Sequence, residues 1–464
     1  MERFMLPASV ARNGLAVVSI ASAVFAAAIS TGGHASLDSI QQLYEALVGR
    51  SVSWNPPFMS ALFRILGVGP DSGAGISMAI FVAMICLAFW GGIILAARAG
   101  KSDSVMNPLL WLLLAVLCIN PLLLVYAGIV WKDVLFAALL SFSSALLLLA
   151  GSSKNPSGRL IVAFFAAVLV GTLPLVRQQG YVLAPLLSIL LLLLVWWTPA
   201  VGYKLRQALM AFYFLLILGV YLAGNSWAQA VIPGNEGRAT SVGFRLIATF
   251  DLLGIEAHGG RMLSAIGAND RVLHEIREHY TPQRIDFLGD CPDARAFLDG
   301  RPDVLSFGFW MRSVIDNPSS YFAHRLSVLK YLFGIEPPSG CLPVHLGIDG
   351  FPYQIEALGL GQGTDVADRQ LYQWLKPLFD SVFFRHVSYL GGFVLLAILV
   401  AFHRRGRSRI MLLMLIGAGL AFYASFVPTA IACDVRYLFP AVPLLTVLAI
   451  AFSFGWREAS DGDV

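Results

Sequence analysis

Charge is scarce in this sequence. Only 13% of its 464 residues are Asp, Glu, Lys or Arg, against 57% hydrophobic, and the mean hydropathy is +0.73. A soluble chain of this length cannot bury so much apolar surface, so lipid must solvate much of it. The net charge of +4 is small and no long basic tract is present, which excludes a nucleic-acid partner. There is no internal repeat, no low-complexity stretch and no glycine-rich phosphate loop, so a nucleotide-driven pump has no support. His258, His274, His279 and His324 lack zinc-ligand spacing, His274 and His279 being off the i,i+4 register. No Ser-His-Asp or Gly-x-Ser-x-Gly arrangement occurs either. The residues call for no metal and no other cofactor, and leave dependence on a divalent cation open.

Cysteine is also sparse. Of the five, Cys86 and Cys118 lie in apolar runs and read as small core hydrophobes. Cys291, Cys341 and Cys433 fall in segments placed outside the cytoplasm below, where a disulfide persists. Cys291 with Cys341 is the expected pair, because both belong to one polar region.

What is abundant is apolar length. A bilayer core of roughly 30 Å needs about 20 apolar residues in helical form. Such runs occur near residues 13–31, 75–98, 107–126, 133–151, 159–176, 181–198, 207–225, 386–403, 409–428 and 437–455. The predicted fold is an all-α polytopic membrane protein of about ten spans. Arg3 and Arg12 precede the first run, which has no convincing small-residue cleavage site and is read as an anchor. Basic residues alternate between the connections: Arg98 and Lys101, Lys154 and Arg159, Lys204 and Arg206, and Arg404, Arg405, Arg407 and Arg409 share one side. By the positive-inside rule that side is the cytoplasm, with both termini on it, Arg457 marking the second. The layout is an N-terminal membrane module (1–225, first outer loop 32–74), a polar, mainly helical outer domain (226–385) with helical patterns at 261–280 and 305–333, and a C-terminal membrane module (386–464).

Several polar residues interrupt this pattern on the outer side. SLDSIQQLYEAL (36–47) predicts an interfacial amphipathic helix with Leu37, Ile40, Tyr44 and Leu47 on one face. Ser36 is its N-cap and Asp38 lies in the first turn, where helix-dipole punctuation alone would also explain a carboxylate. Trp54-Asn55-Pro56-Pro57 then opens a short apolar helix, 58–67. Three outer connections each carry a cation: Lys132 beside Asp133, Arg177 beside Gln178 and Gln179, and Arg436 beside Asp434 and Tyr437. Any one could snorkel to lipid phosphate or pair with its neighbouring carboxylate. Three together favour a bound phosphate or pyrophosphate.

With its outer-face Asp after the first span, the Pro-Pro segment and basic residues at later outer turns, the chain resembles the GT-C superfamily of bacterial integral membrane glycosyltransferases, which use polyprenyl-phosphate sugars. LDSIQQLYEALVG with WNPPF resembles the family's first loop, WKDVLFA its Lys-Asp element, RQQGY a third-loop element, and DVRYLFP the late Arg-Tyr element. WMRSVIDNPSSYFAHR (310–325) is similar to a Trp…Asn-Pro…Tyr…Arg segment of bacterial members. The chain departs from several members in having Asn55 where they have His before Pro-Pro, and a single first-loop Asp where they often have an acidic pair; a second carboxylate would be Asp133 or Glu45.

The resemblance implies an inverting transfer of sugar from a polyprenyl phosphate to an acceptor outside the cytoplasm, be it an envelope glycolipid, glycan or protein, at a bacterial inner membrane. A sugar phosphate already carries a good leaving group, so the site has only to deprotonate an acceptor hydroxyl and stabilise the departing phosphate. Asp38 would be the base, with Asp133 orienting the acceptor or sharing that role. Lys132, Arg177 and Arg436 would hold the phosphate, and Gln178, Tyr437, Asn55 and Tyr44 would contact sugar or acceptor. The alternatives are an O-antigen ligase or polymerase using a pyrophosphate-linked glycan, and a transporter or flippase of lipid or sugar. The transporter reading lacks the broken mid-membrane helices that such proteins use.

Overall fold

The computed structural model describes residues 5–30, 32–69, 72–100, 105–198, 201–234, 238–336 and 340–457, so Arg3 and Lys101 lie outside the described residues. Each apolar run becomes a helix. Eight are long and apolar enough to cross a membrane: Ala8–Ile29, Ala74–Arg98, Pro108–Tyr126, Lys132–Ser152, Pro156–Val176, Tyr203–Val231, His386–His403 and Gly406–Ser425. Two shorter apolar helices, Gly180–Trp196 and Ala441–Ser453, complete the set. The protein is an all-α multi-pass membrane protein, and its one sheet among the described residues pairs Leu6–Pro7 with Val105–Met106. Lys132–Ser152 is the central helix and Tyr203–Val231 a rim helix, with 83% and 11% of their apolar windows buried.

Local chemistry sets the helix starts. Asn107, Asn120 and Asn155 each cap a helix with a side-chain oxygen that accepts the backbone N–H two residues on, and each is followed by proline at the first helical position. The Asn120-Pro121 start breaks the Pro108–Tyr126 run into Pro108–Cys118 and Pro121–Tyr126. On the arginine-rich side, guanidinium groups close the C-terminal ends of the helices that finish there. Arg159, fully buried, donates to Gly151 O (3.2 Å) and Ser153 O. Arg206 reaches Thr198 O, Arg407 reaches Trp197 O, and Arg404 reaches Phe452 O at 2.7 Å. These orphan carbonyls carry the negative end of the helix dipole, which a cation stabilises by about 0.3–1 kcal/mol. The basic residues that the sequence concentrates in these connections thus have a structural use.

The polar region folds over the opposite ends of the spans. It is helical, as predicted, but the expected helix over 261–280 is two pieces, Met262–Ala265 and Asp270–His279, separated at Gly267 with φ +92°. The pattern over 305–333 divides at Asn317-Pro318 into Phe307–Asp316 and Pro318–Leu332, since proline cannot continue the preceding hydrogen-bond ladder. The Tyr203–Val231 helix continues past the expected module boundary at 225. First-loop backbone is tied to this region by the parallel bridge Ala35↔Ile348, and to the turn before the Lys132–Ser152 helix by His34↔Ile129.

Two expectations change. The helix Leu37–Val48 forms, but the predicted face of Leu37, Ile40, Tyr44 and Leu47 is not the one it buries most deeply, Tyr44 and Leu47 being only partly buried. Ile40, Leu43 and Ala46 are buried against protein, while Leu37 is 41% exposed. The disulfide joins Cys341 to Cys433, with Cα atoms 5.3 Å apart, and Cys291 is a free, buried thiol. Cys291 packs under the Pro292–Asp299 helix with its Sγ against Glu275 O, whereas the chain after Cys341 runs along 433–435, Val435 N donating to Leu342 O.

Candidate functional site

Asp38 is delivered by a short path. The first apolar helix ends at Ile29, and the Leu37–Val48 helix follows after a short connection, ending on Gly49 in the left-handed region (φ +69°). Ser36 occupies the N-cap position, but its hydroxyl accepts from Trp131 Nε1 (2.7 Å) and does not cap the helix. That bond ties the start of the Asp38 helix to the start of the Lys132–Ser152 helix, so Asp38, Lys132 and Asp133 are held in register. Asp38 keeps 28% of its side chain exposed, and its Oδ2 accepts from Arg436 Nη1 at 2.9 Å. Burial alone would raise its pKa, but Arg436 and Lys132 outweigh that and hold the carboxyl below its ordinary value.

Arg177 ends the Pro156–Val176 helix and opens the turn into Gly180–Trp196. The turn needs glycine: a Cβ on Gly180 would lie 2.4 Å from the Leu173 carbonyl. Arg177 Nη1 is 2.6 Å from Asp133 Oδ1 and donates to Tyr437 O (3.1 Å), both side chains being buried. Its guanidinium also faces the rings of Phe426 and Tyr437. Asp133 is therefore the charge partner of Arg177, with only 2% of its side chain exposed.

Arg436 sits on the strap between the last two spans, in the single turn Val435–Tyr437. The polar region pins this strap along its length. Arg325 Nη1 donates to Ala430 O (2.7 Å), Ile285 N to Ile431 O, Cys433 is bonded to Cys341, and Leu342 N donates to Asp434 Oδ1 (3.1 Å). Arg436 lies over the rings of Trp131 and Tyr437, each 5.1 Å away, with Asp434 3.7 Å from its Nε. Burial works against its charge, yet Tyr437, Asp38, Asp133 and Asp434 outweigh burial and raise its pKa.

These groups line one cavity of about 340 Å³. Asp38, Lys132, Asp133, Arg177, Gln178, Arg436 and Tyr437, all singled out from the sequence, are in its wall. Asn55 and Tyr44 are not. Asn55 is fully buried behind the wall and its Oδ1 accepts from Lys132 Nζ at 2.5 Å, making it a support for the lysine. Tyr44 packs edge-on to Tyr353, with ring centroids 5.7 Å apart. Glu45 is also away from the wall: its carboxylate, fully buried, accepts from Val52 N, Ser53 N and the hydroxyls of Ser51, Ser53 and Ser60, so it organises the loop that carries Trp54 and Asn55.

Sequence reasoning missed Arg284, Asp286 and Trp54 as wall residues. Trp54 carried a signal, an interfacial aromatic before Pro-Pro; Arg284 and Asp286 were two ionisable residues among many. The wall holds four cations, Lys132, Arg177, Arg284 and Arg436, and four carboxylates, Asp38, Asp133, Asp286 and Asp434. Their formal charges cancel, but the pairing is uneven. The three arginines have carboxylates within ion-pair distance. Lys132 is held by the Asn55 amide oxygen and by the Trp54 ring at 4.9 Å, both neutral. Among the described residues it is the wall cation with no carboxylate at ion-pair distance, although Asp38 and Asp133 lie near enough to act on its charge.

No protein-family model matches the sequence, and none of the curated proteins does. Among solved structures the chain is similar to the archaeal oligosaccharyltransferase AglB from Archaeoglobus fulgidus, in complex with an inhibitory peptide and a dolichol-phosphate, at 15% identity and a TM-score of 0.39 over 94% of this chain. It spans about half the length of that protein, 50%. It is also similar to ArnT from Cupriavidus metallidurans in the apo state, at 12% identity and a TM-score of 0.36 over 96% of this chain and 78% of that one.

Proposed function

We propose that this protein is a membrane glycosyltransferase of the GT-C type, moving a sugar from a polyprenyl-phosphate donor to an acceptor outside the cytoplasm. The observation that carries the reading is the juxtaposition, in one cavity, of a partly exposed ionised carboxylate, Asp38, with a cation that lacks a carboxylate partner, Lys132. The donor phosphate would take Lys132 as its primary contact. Arg436 and Arg177 would add N–H donors, since each guanidinium has five and neither is exhausted by its carboxylate.

In the reaction, Asp38 accepts the proton of an acceptor hydroxyl as that oxygen attacks the anomeric carbon. The bond from that carbon to the phosphate oxygen breaks, and the phosphate leaves with the electron pair, its growing charge met by Lys132 and the two arginines. Attack opposite the leaving group inverts the anomeric configuration. Asp133 keeps Arg177 in place and Asn55 keeps Lys132 in place. The arginine-rich end of the bundle would face the cytoplasm, and the polar region would cover the cavity from the periplasm.

Proteoliposomes containing the purified protein and an envelope extract as acceptor source test this with a single-sugar polyprenyl phosphate and an oligosaccharide polyprenyl pyrophosphate side by side. Consumption of the monophosphate donor is the expected result. Turnover of the pyrophosphate donor alone would favour a ligase or polymerase, and sugar flux without bond cleavage would favour a transporter.

A further inference from the structure

Beside the first cavity lies a second of about 460 Å³, and the two share Leu246, Ile285 and Asp286 in their walls. All of the second wall comes from residues between Val242 and Leu305 and none from a membrane-crossing helix. A ligand filling both cavities would have one end beside Asp38 and the other within the polar region.

The second wall is built from the helices Arg238–Ala257 and Pro292–Asp299 and the tight turns Ile285–Asp290 and Pro302–Leu305. Helical backbone spends its polar groups internally, so this wall has no strand edge on which to pair an extended peptide. Side chains must do the recognising. The charged ones are Arg245, Arg295, Asp286 and Asp299, two of each sign, with Thr249 adding a hydroxyl. Balanced charge sets up no net field to draw in an ion. Carboxylates and guanidinium groups do present adjacent acceptors and donors, Arg295 and Asp299 being 3.8 Å apart and both well exposed, which suits vicinal hydroxyls. Val242, Leu246 and Leu288, each partly exposed, give the wall an apolar surface against which a sugar ring face can lie.

We infer that the second cavity is the acceptor subsite and that the acceptor is a glycan, an uncharged polyhydroxylated chain whose reacting hydroxyl enters the first cavity at the shared wall. The inference rests on the transferase reading and adds the acceptor class to it.

The test places the photoreactive residue p-benzoylphenylalanine at Leu288, in the second wall, of the full chain in its native membrane. After irradiation the purified adduct is weighed by mass spectrometry. The expected adduct is a ladder of sugar masses that periodate destroys, and Arg245→Ala lowers its yield about tenfold, the loss of one hydrogen bond to a charged group. A peptide or phospholipid adduct, or none above the unirradiated control, overturns the inference. Binding needs no turnover, so the glycan adduct should also form in an Asp38→Asn background. A glycan adduct from a protein that consumes no donor would sink the transferase reading and leave the glycan site standing. Donor consumption with a peptide adduct would sink the glycan acceptor alone.

Discussion

Replacing Lys132 with methionine separates a binding role from a structural one. The ammonium is half-buried and held by Asn55 Oδ1 and the Trp54 ring, with no carboxylate at ion-pair distance. Its removal relieves the cost of desolvating a charge, offset by the lost attraction between Lys132 and the nearby Asp38 and Asp133. The melting temperature of Lys132→Met should therefore change little. Donor binding should suffer instead, because the phosphate loses a hydrogen bond to a charged group worth about 1.5–3 kcal/mol. At 1.4 kcal/mol per decade, that raises the KM for polyprenyl-phosphate sugar roughly 10- to 150-fold. Initial rates in proteoliposomes at varied donor, with thermal unfolding in the same detergent, provide both readouts. A KM within about twofold of wild type together with a fall in melting temperature would make Lys132 a structural residue and refute the reasoning.

Asp38, held below its ordinary pKa, should stay ionised well into acid, so kcat should hold from about pH 8 to about pH 5 and fail only below the usual carboxylate range near 3.9. The stability linked to that depressed pKa is present above the unfolded value and lost as pH falls through the folded one. In Arg436→Met, burial acts on Asp38 with less opposition, and the acid limb of the pH–rate profile should move upward; an unmoved limb would detach Asp38 from that limb. Cys433→Ser should cost about 2–5 kcal/mol and lower the melting temperature, since the bond closes a loop across a separation of 92 residues and pins the Arg436 strap; an unchanged melting curve would contradict this. Asp251, fully buried, accepts from Trp310 Nε1 (2.8 Å) and pairs with Arg325 (2.6 Å) and His324 (3.2 Å). Asp251→Asn leaves Arg325 buried without its counter-charge and should cost about 3–5 kcal/mol by denaturant unfolding, against less than about 1 kcal/mol if the pair were dispensable.

The membrane architecture was legible because apolar length is a one-dimensional signal: all ten runs became helices, and the Arg-rich connections share one end of the bundle. Helix breaks inside those runs were less visible, since Asn120-Pro121 lies within continuous apolar sequence. At the site, the outer-turn cations stood out because each departs from the bias of its surroundings. Asp38 and Arg436 could thus be named together although they are 398 positions apart. Their pairing with one another, and that of Arg177 with Asp133, depends on which turns meet in space. Lys132 and Asp133 are adjacent in sequence, yet the lysine turns to Asn55 and the aspartate to Arg177. The disulfide failed for the same reason. Sharing a polar region does not bring Cys291 to Cys341, whereas the return of the chain along the last strap brings Cys433 there.

The most direct test compares wild type and Asp38→Asn in proteoliposomes loaded with labelled polyprenyl-phosphate sugar and an envelope extract as acceptor source, following release of polyprenyl phosphate in a single turnover. Arg436 keeps Asp434 3.7 Å away when the Asp38 charge is lost, so the variant should fold and bind donor with little change. Its rate should fall about 10²- to 10⁴-fold, the usual contribution of a general base. Release at the wild-type rate by the variant, or no release by either protein, would contradict the assignment of this cavity to glycosyl transfer.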